Sequence, residues 1–128
     1  MKIPVIIVRV LMGLMFLFAS VSYFLQLFPM PELTGDVKTF MDGVMATGYL
    51  MTLIKLTELI CGLLFVIGRY VAFATVAIFP ITLNIMLYHM SIAPEGTITA
   101  VLLMVGNLFL VYAYRKHYTG LFTAKRIE

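Results

Sequence analysis

Apolar residues run almost unbroken along four stretches of the chain, and most charged residues fall between or beyond them. The first stretch, 5–28, holds one charge, Arg9. At 1.5 Å per residue it reaches roughly 36 Å, enough to cross a bilayer with some tilt. Pro4 suits a first helical turn, and Pro29 and Pro31 mark its stop. The stretch is too long for the apolar region of a signal peptide and has no small-x-small cleavage site ahead of a polar start, so a retained anchor is expected. The second stretch, 49–67, and the third, 70–90, are joined so tightly that they must run antiparallel as neighbours. Pro80 predicts a kink within the third. The turn Ala93-Pro94-Glu95-Gly96 leads to the fourth, 97–114, and a basic tail along the surface is expected after it.

Residues 31–48 have a different rhythm. Val37, Phe40, Met41, Val44 and Met45 recur at three- and four-residue steps, with Asp36, Lys38 and Asp42 on the other side. That spacing predicts a short amphipathic helix lying in the membrane interface. The expected fold is all-α: a polytopic membrane four-helix bundle, up-down-up-down, with a short interfacial amphipathic helix between helices one and two. Residues 1–128 form a single transmembrane domain on this reading.

Composition strengthens the membrane assignment. Hydrophobic residues make up 62% of the chain, against about 45–50% in soluble domains. Trp is absent, so an aromatic belt must come from Tyr and Phe. Charge matters through its placement. Lys2, Arg9, Arg69, Arg115, Lys116, Lys125 and Arg126 fall on the side of the two termini, while Glu32, Asp36, Asp42 and Glu95 face only Lys38 on the other. Basic residues favour the cytoplasmic side, which predicts that both termini are cytoplasmic. Most of its surface should meet the lipid bilayer. The cations form no single stripe, so nucleic acid is not an expected partner. Self-association is left open.

The candidate chemistry lies inside the second span. Met51, Lys55, Glu58, Gly62, Phe65 and Arg69 share one helical face, and Glu58 falls near mid-span. A charge at such depth costs about 2.5–3.5 kcal/mol by insertion scales, so it must be paired or put to use. On helix one, Arg9, Gly13, Phe16, Ser20 and Tyr23 share a face, with Gly13 and Ser20 permitting close backbone approach. Helical rise puts Arg9 and Glu58 about 6 Å apart in depth, which predicts an Arg9–Glu58 pair, either structural or part of a ligand site. Lys55 is expected to snorkel to the far interface, with approach to Glu58 as the second choice. Asn84, Tyr88 and His89 gather near the outer end of helix three as a candidate outer opening. Tyr88 and His89 there suit a quinone headgroup or proton exchange, although a histidine facing water is the simpler expectation. Asn107 is expected to tie helices together by a hydrogen bond. His117 is a bilayer away from His89, so the two cannot ligate one haem. No metal spacing, phosphate loop or nucleophile elbow is found. Cys61, the only cysteine, reads as a packing residue.

Arg9 with Gly13, Glu58 with Gly62, Leu63 and Leu64, Arg69 at the end of helix two, and Tyr88-His89 at the end of helix three resemble the DoxX family over about 9–114. The resemblance implies a small four-helix inner-membrane protein, related to subunits of a thiosulfate:quinone oxidoreductase and linked to redox homeostasis. It fixes no cofactor but makes a quinone the candidate and a membrane redox protein the candidate partner, with Arg9, Glu58 and His89 as the residues carried over. The expected function is an accessory or quinone-proximal subunit of a membrane redox system. The rivals are a small carrier or channel with Glu58 as the proton-coupled group, and a purely structural membrane partner.

Overall fold

A computed structural model describes residues 2–29 and 32–124. Pro31, assigned above to a helix stop, and Lys125 and Arg126 of the basic tail lie outside the described residues. Five α-helices follow in order: α1 (Lys2–Leu25), α2 (Gly35–Ala46), α3 (Leu50–Ile67), α4 (Val71–Ser91) and α5 (Thr97–Ala113). Short 3-10 turns cover Pro94–Gly96 and Arg115–Phe122, and there is no strand among the described residues. Helices α1, α3, α4 and α5 are each long and apolar enough to cross a membrane, the last counted with the turn before it. The chain is an all-α, up-down-up-down four-helix membrane bundle with α2 inserted between its first two spans. In it α1 packs on α3, α3 on α4, α4 on α5 and α5 back on α1.

The outward faces are apolar, as Leu11, Leu14 and Phe18 on α1, Leu53, Leu56 and Ile60 on α3, and Leu102 and Val105 on α5 illustrate. Such a continuous apolar exterior suits hydrocarbon and would be untenable in water. The interior is built from Met12, Phe16, Cys61, Phe65, Ile78, Leu103 and Leu110, with the Phe16 and Phe65 rings stacked at 6.5 Å between centroids. Three interior hydroxyls donate to carbonyls of their own helices. Ser20 donates to the Phe16 carbonyl at 2.8 Å, Thr82 to Ile78 at 3.1 Å and Thr75 to Ala72 at 2.7 Å. This relieves the desolvation cost of a buried hydroxyl without a cross-helix partner.

Helix ends follow backbone chemistry more closely than hydropathy. Helix α1 stops at Leu25, three residues short of the Phe28 expected from its apolar run. Gln26 takes a left-handed φ of 52°, its N–H donates to Tyr23 and the Leu27 N–H to Ser22. These bonds close a Schellman-type end before Pro29, which disfavours helical geometry at Phe28. Gly68 ends α3 the same way at φ 76°, and Tyr70 at φ 55° turns the chain straight into α4. Pro80 leaves α4 continuous as a helix. Thr47 prepares α3 from outside it, its hydroxyl accepting from the Leu50 N–H at 2.9 Å. The tail differs from expectation. Instead of lying wholly on the surface, it sends Tyr118 inward, buried, to hydrogen-bond Thr75.

Gly13 and Gly62 set the α1–α3 distance. A Cβ on Gly13 would stand 2.7 Å from Val66 Cγ2 and 2.8 Å from the Gly62 carbonyl oxygen, while one on Gly62 would stand 3.0 Å from the Gly13 oxygen. Backbone blocks backbone, so neither position tolerates a side chain without separating the helices. Gly13→Ala should lower stability by about 1–3 kcal/mol, read as a fall in thermal midpoint in detergent. Gly43→Ala on α2, where no atom lies within 4 Å of the added carbon, should be neutral or stabilising by up to about 1 kcal/mol.

Candidate functional site

Antiparallel packing through the glycine crossing decides which charges meet. From Gly13, Arg9 lies one turn toward the end of the bundle where α1 begins and α5 finishes. From Gly62, Glu58 lies one turn the other way, toward α2. Their backbones are therefore about 12 Å apart along the bundle. Helical side chains also lean toward their own N-termini, which in antiparallel neighbours separates this pair further. The expected Arg9–Glu58 pair does not form. The Arg9 guanidinium instead fills the space a Cβ on Gly68 would occupy, at the C-terminus of α3, where the helix dipole places partial negative charge. Its Nε is buried without a partner among the described residues.

Glu58 pairs within its own helix. Lys55 Nζ lies 3.4 Å from Glu58 Oε2, with the carboxylate side chain buried and that of Lys55 21% exposed. Lys55 does not snorkel to the interface. One turn separates it from Glu58 on the same face, and the carboxylate is the nearer solution to its desolvation.

Beside the pair is an open-sided cavity of about 600 Å³ in the α2 half of the bundle. Met15, Phe16 and Ala19 of α1 supply one wall, Met51 and Ile54 of α3 another, and Ile81 and Ile85 of α4 a third. Lys55, Glu58, Asn84, Tyr88 and His89 all line it, so five sequence-predicted residues share one space and Arg9 stands outside. Asn84 is exposed, whereas Tyr88 and His89 are half-buried.

His89 does not simply face solvent. Its Nδ1 lies 2.9 Å from the Ala93 carbonyl, and its ring packs over Gly96, leaving no room for a side chain there. A carbonyl can only accept, so Nδ1 carries the hydrogen, and in the neutral ring Nε2 is the acceptor. Thr97 Oγ1 donates to the His89 carbonyl at 3.2 Å, fixing the turn. The Tyr88 ring sits 4.9 Å from the His89 ring and 5.1 Å from Phe40 on α2. Phe40, with Met41 and Val44, brings α2 into the cavity wall. Sequence reasoning placed α2 in the interface and missed this role, although the apolar face that includes Phe40 was its signal. It missed Ala19 and Ile85 as well, which nothing distinguishes from other apolar residues in the pattern.

The arrangement is chemically simple. A half-buried lysine supplies donors, a carboxylate and an imidazole nitrogen supply acceptors, and the remaining wall is largely hydrocarbon. It suits a ligand with an apolar body and a small polar head. The paired charges cancel, so neither a cationic nor an anionic head is favoured. Among the described residues, no group of three His, Cys, Asp or Glu gathers to hold a metal ion. No protein-family model, curated protein or solved structure matches the chain.

Two double-mutant cycles separate the observed pairing from the expected one. Lys55→Met alone should destabilise by about 3 kcal/mol, because it leaves a buried carboxylate unpaired. Combining it with Glu58→Leu should recover part of that loss, giving a coupling of about 0.5–3 kcal/mol. Arg9→Met with Glu58→Leu should be additive within about 0.5 kcal/mol. Unfolding midpoints of the six proteins in detergent check both.

Proposed function

We propose that the protein is a DoxX-like inner-membrane protein with both termini in the cytoplasm, acting as a quinone-proximal accessory subunit of a membrane redox system. The observation that carries the reading is the apolar cavity with the Lys55–Glu58 pair in its wall and Asn84, Tyr88 and His89 beside it. A quinone presents two neutral carbonyl acceptors on a flat apolar ring. Lys55 can donate to one carbonyl. Tyr88 offers a ring face and a hydroxyl, and His89 Nε2 is an acceptor for the hydroxyl of the reduced form.

A conduit is less well supported. Phe65, Ile78 and Leu110 are fully buried beyond the cavity floor, between Glu58 and the terminal end of the bundle. That packing supports a dead-ended pocket over a path.

Photolabelling with a short-chain azidoquinone tests the proposal. Label should concentrate on α4 near Tyr88 and be competed by unlabelled quinone. Glu58→Gln and Lys55→Met should each weaken competition about tenfold, equivalent to about 1.4 kcal/mol. Ala19→Phe, which fills the cavity and leaves the pair intact, should abolish it. Label spread evenly over lipid-facing helices and indifferent to competitor would sink the reading.

A further inference from the structure

A second cavity, of about 410 Å³, lies at the other end of the bundle, between the start of α1 and the end of α5. Its charged lining is wholly cationic. Lys2 comes from the first turn of α1, and Arg115 and Lys116 from the turn after α5. Val5, Ile6 and Ala113 form its apolar side, and among the described residues no Asp or Glu lines it. Among the described residues the ion pairs are Lys38–Asp42 and Lys55–Glu58, neither at this end. Three like charges around one small space repel one another, and an anion between them would reverse that repulsion.

Arg115 is already held in place. Its Nη1 donates to the Tyr112 carbonyl at 2.9 Å, and its guanidinium carbon lies 4.2 Å from the Tyr112 ring centroid. Most of its N–H donors are not used by that bond, and a guanidinium fork matches phosphate oxygens well. Lys2 opens α1, and Arg115 follows shortly after α5 ends at Ala113. The charges therefore stand at the limits of two apolar spans, the depth of lipid headgroups. The seam they flank, α1 against α5, is the sparsest contact between neighbouring spans.

We infer that this cavity binds the phosphate of an anionic phospholipid. The phosphate sits among Lys2, Arg115 and Lys116, and the glycerol and upper acyl carbons lie against Val5, Ile6 and Ala113. The lipid spans the α1–α5 seam and closes the bundle where protein contacts alone are thin. This role is independent of any ligand in the Glu58 cavity.

Thermal unfolding of the full chain in neutral detergent tests it, with three additions: phosphatidylglycerol, phosphatidylcholine and inorganic phosphate. Phosphatidylglycerol near a hundredfold excess over its Kd should raise the midpoint by about 5 °C or more. Phosphatidylcholine and inorganic phosphate should do little. The triple variant Lys2→Gln, Arg115→Gln, Lys116→Gln should lose the rise, while Lys38→Gln, at the opposite end, should keep it. Native mass spectrometry should show one retained phosphatidylglycerol on the wild type and none on the triple variant. An equal rise with phosphatidylcholine, or a full rise in the triple variant, would overturn the site. A rise of the same size with inorganic phosphate would overturn the lipid as its occupant.

Discussion

Contact between two glycines governs this molecule. Gly13 and Gly62 let α1 and α3 touch backbone to backbone, and that contact fixes the axial register of the two spans. Register in turn decides the fate of each buried charge. Arg9 is carried toward the carbonyl end of α3 and Glu58 toward α2, so the carboxylate must find its counter-charge at home, in Lys55. In hydrocarbon there is no hydrophobic drive to press helices together, so close packing at small residues supplies much of the attraction and the geometry. The polar groups then adapt to a register they did not choose.

The spans were legible because a bilayer imposes a length that hydropathy reveals directly, and α2 was legible because its apolar face recurs at helical spacing. The candidate cavity was half legible. Asn84, Tyr88 and His89 share a helix end with Tyr88 and His89 adjacent, and Lys55 and Glu58 are one turn apart, so each local cluster could be read. Their meeting across α3 and α4 depends on three-dimensional packing. The mistaken Arg9–Glu58 pair shows why. The helix ends do not share a plane across the glycine crossing, and side chains on antiparallel helices lean in opposite directions, neither of which spacing along the chain carries. Tyr118 shows a different blind spot. Its partner Thr75 is 43 residues away, and a tyrosine in a basic tail carries no mark that it turns inward.

Polar side chains in the interior obey one economy. Ser20, Thr82 and Thr75 return their hydroxyl hydrogens to their own helices. The amides and phenols do the cross-linking. Asn107 donates from α5 to the Thr75 carbonyl on α4 at 3.3 Å, and Tyr118 reaches the Thr75 hydroxyl. Thr75 is thus a node joining α4, α5 and the tail, far from the Lys55–Glu58 cavity. The Lys55–Glu58 pair and this amide–hydroxyl node occupy separate levels of the bundle.

The packed layer of Phe65, Ile78 and Leu110 divides the bundle into unequal halves. At that level the Thr75 node ties α4, α5 and the tail together. Above it, α2 leans over a void. The part of the bundle nearest α2 is hollowed by the larger of the two cavities described above. Helix α2 buries Val44 alone, so it is the wall of that cavity held by the fewest buried contacts, and local opening would begin there.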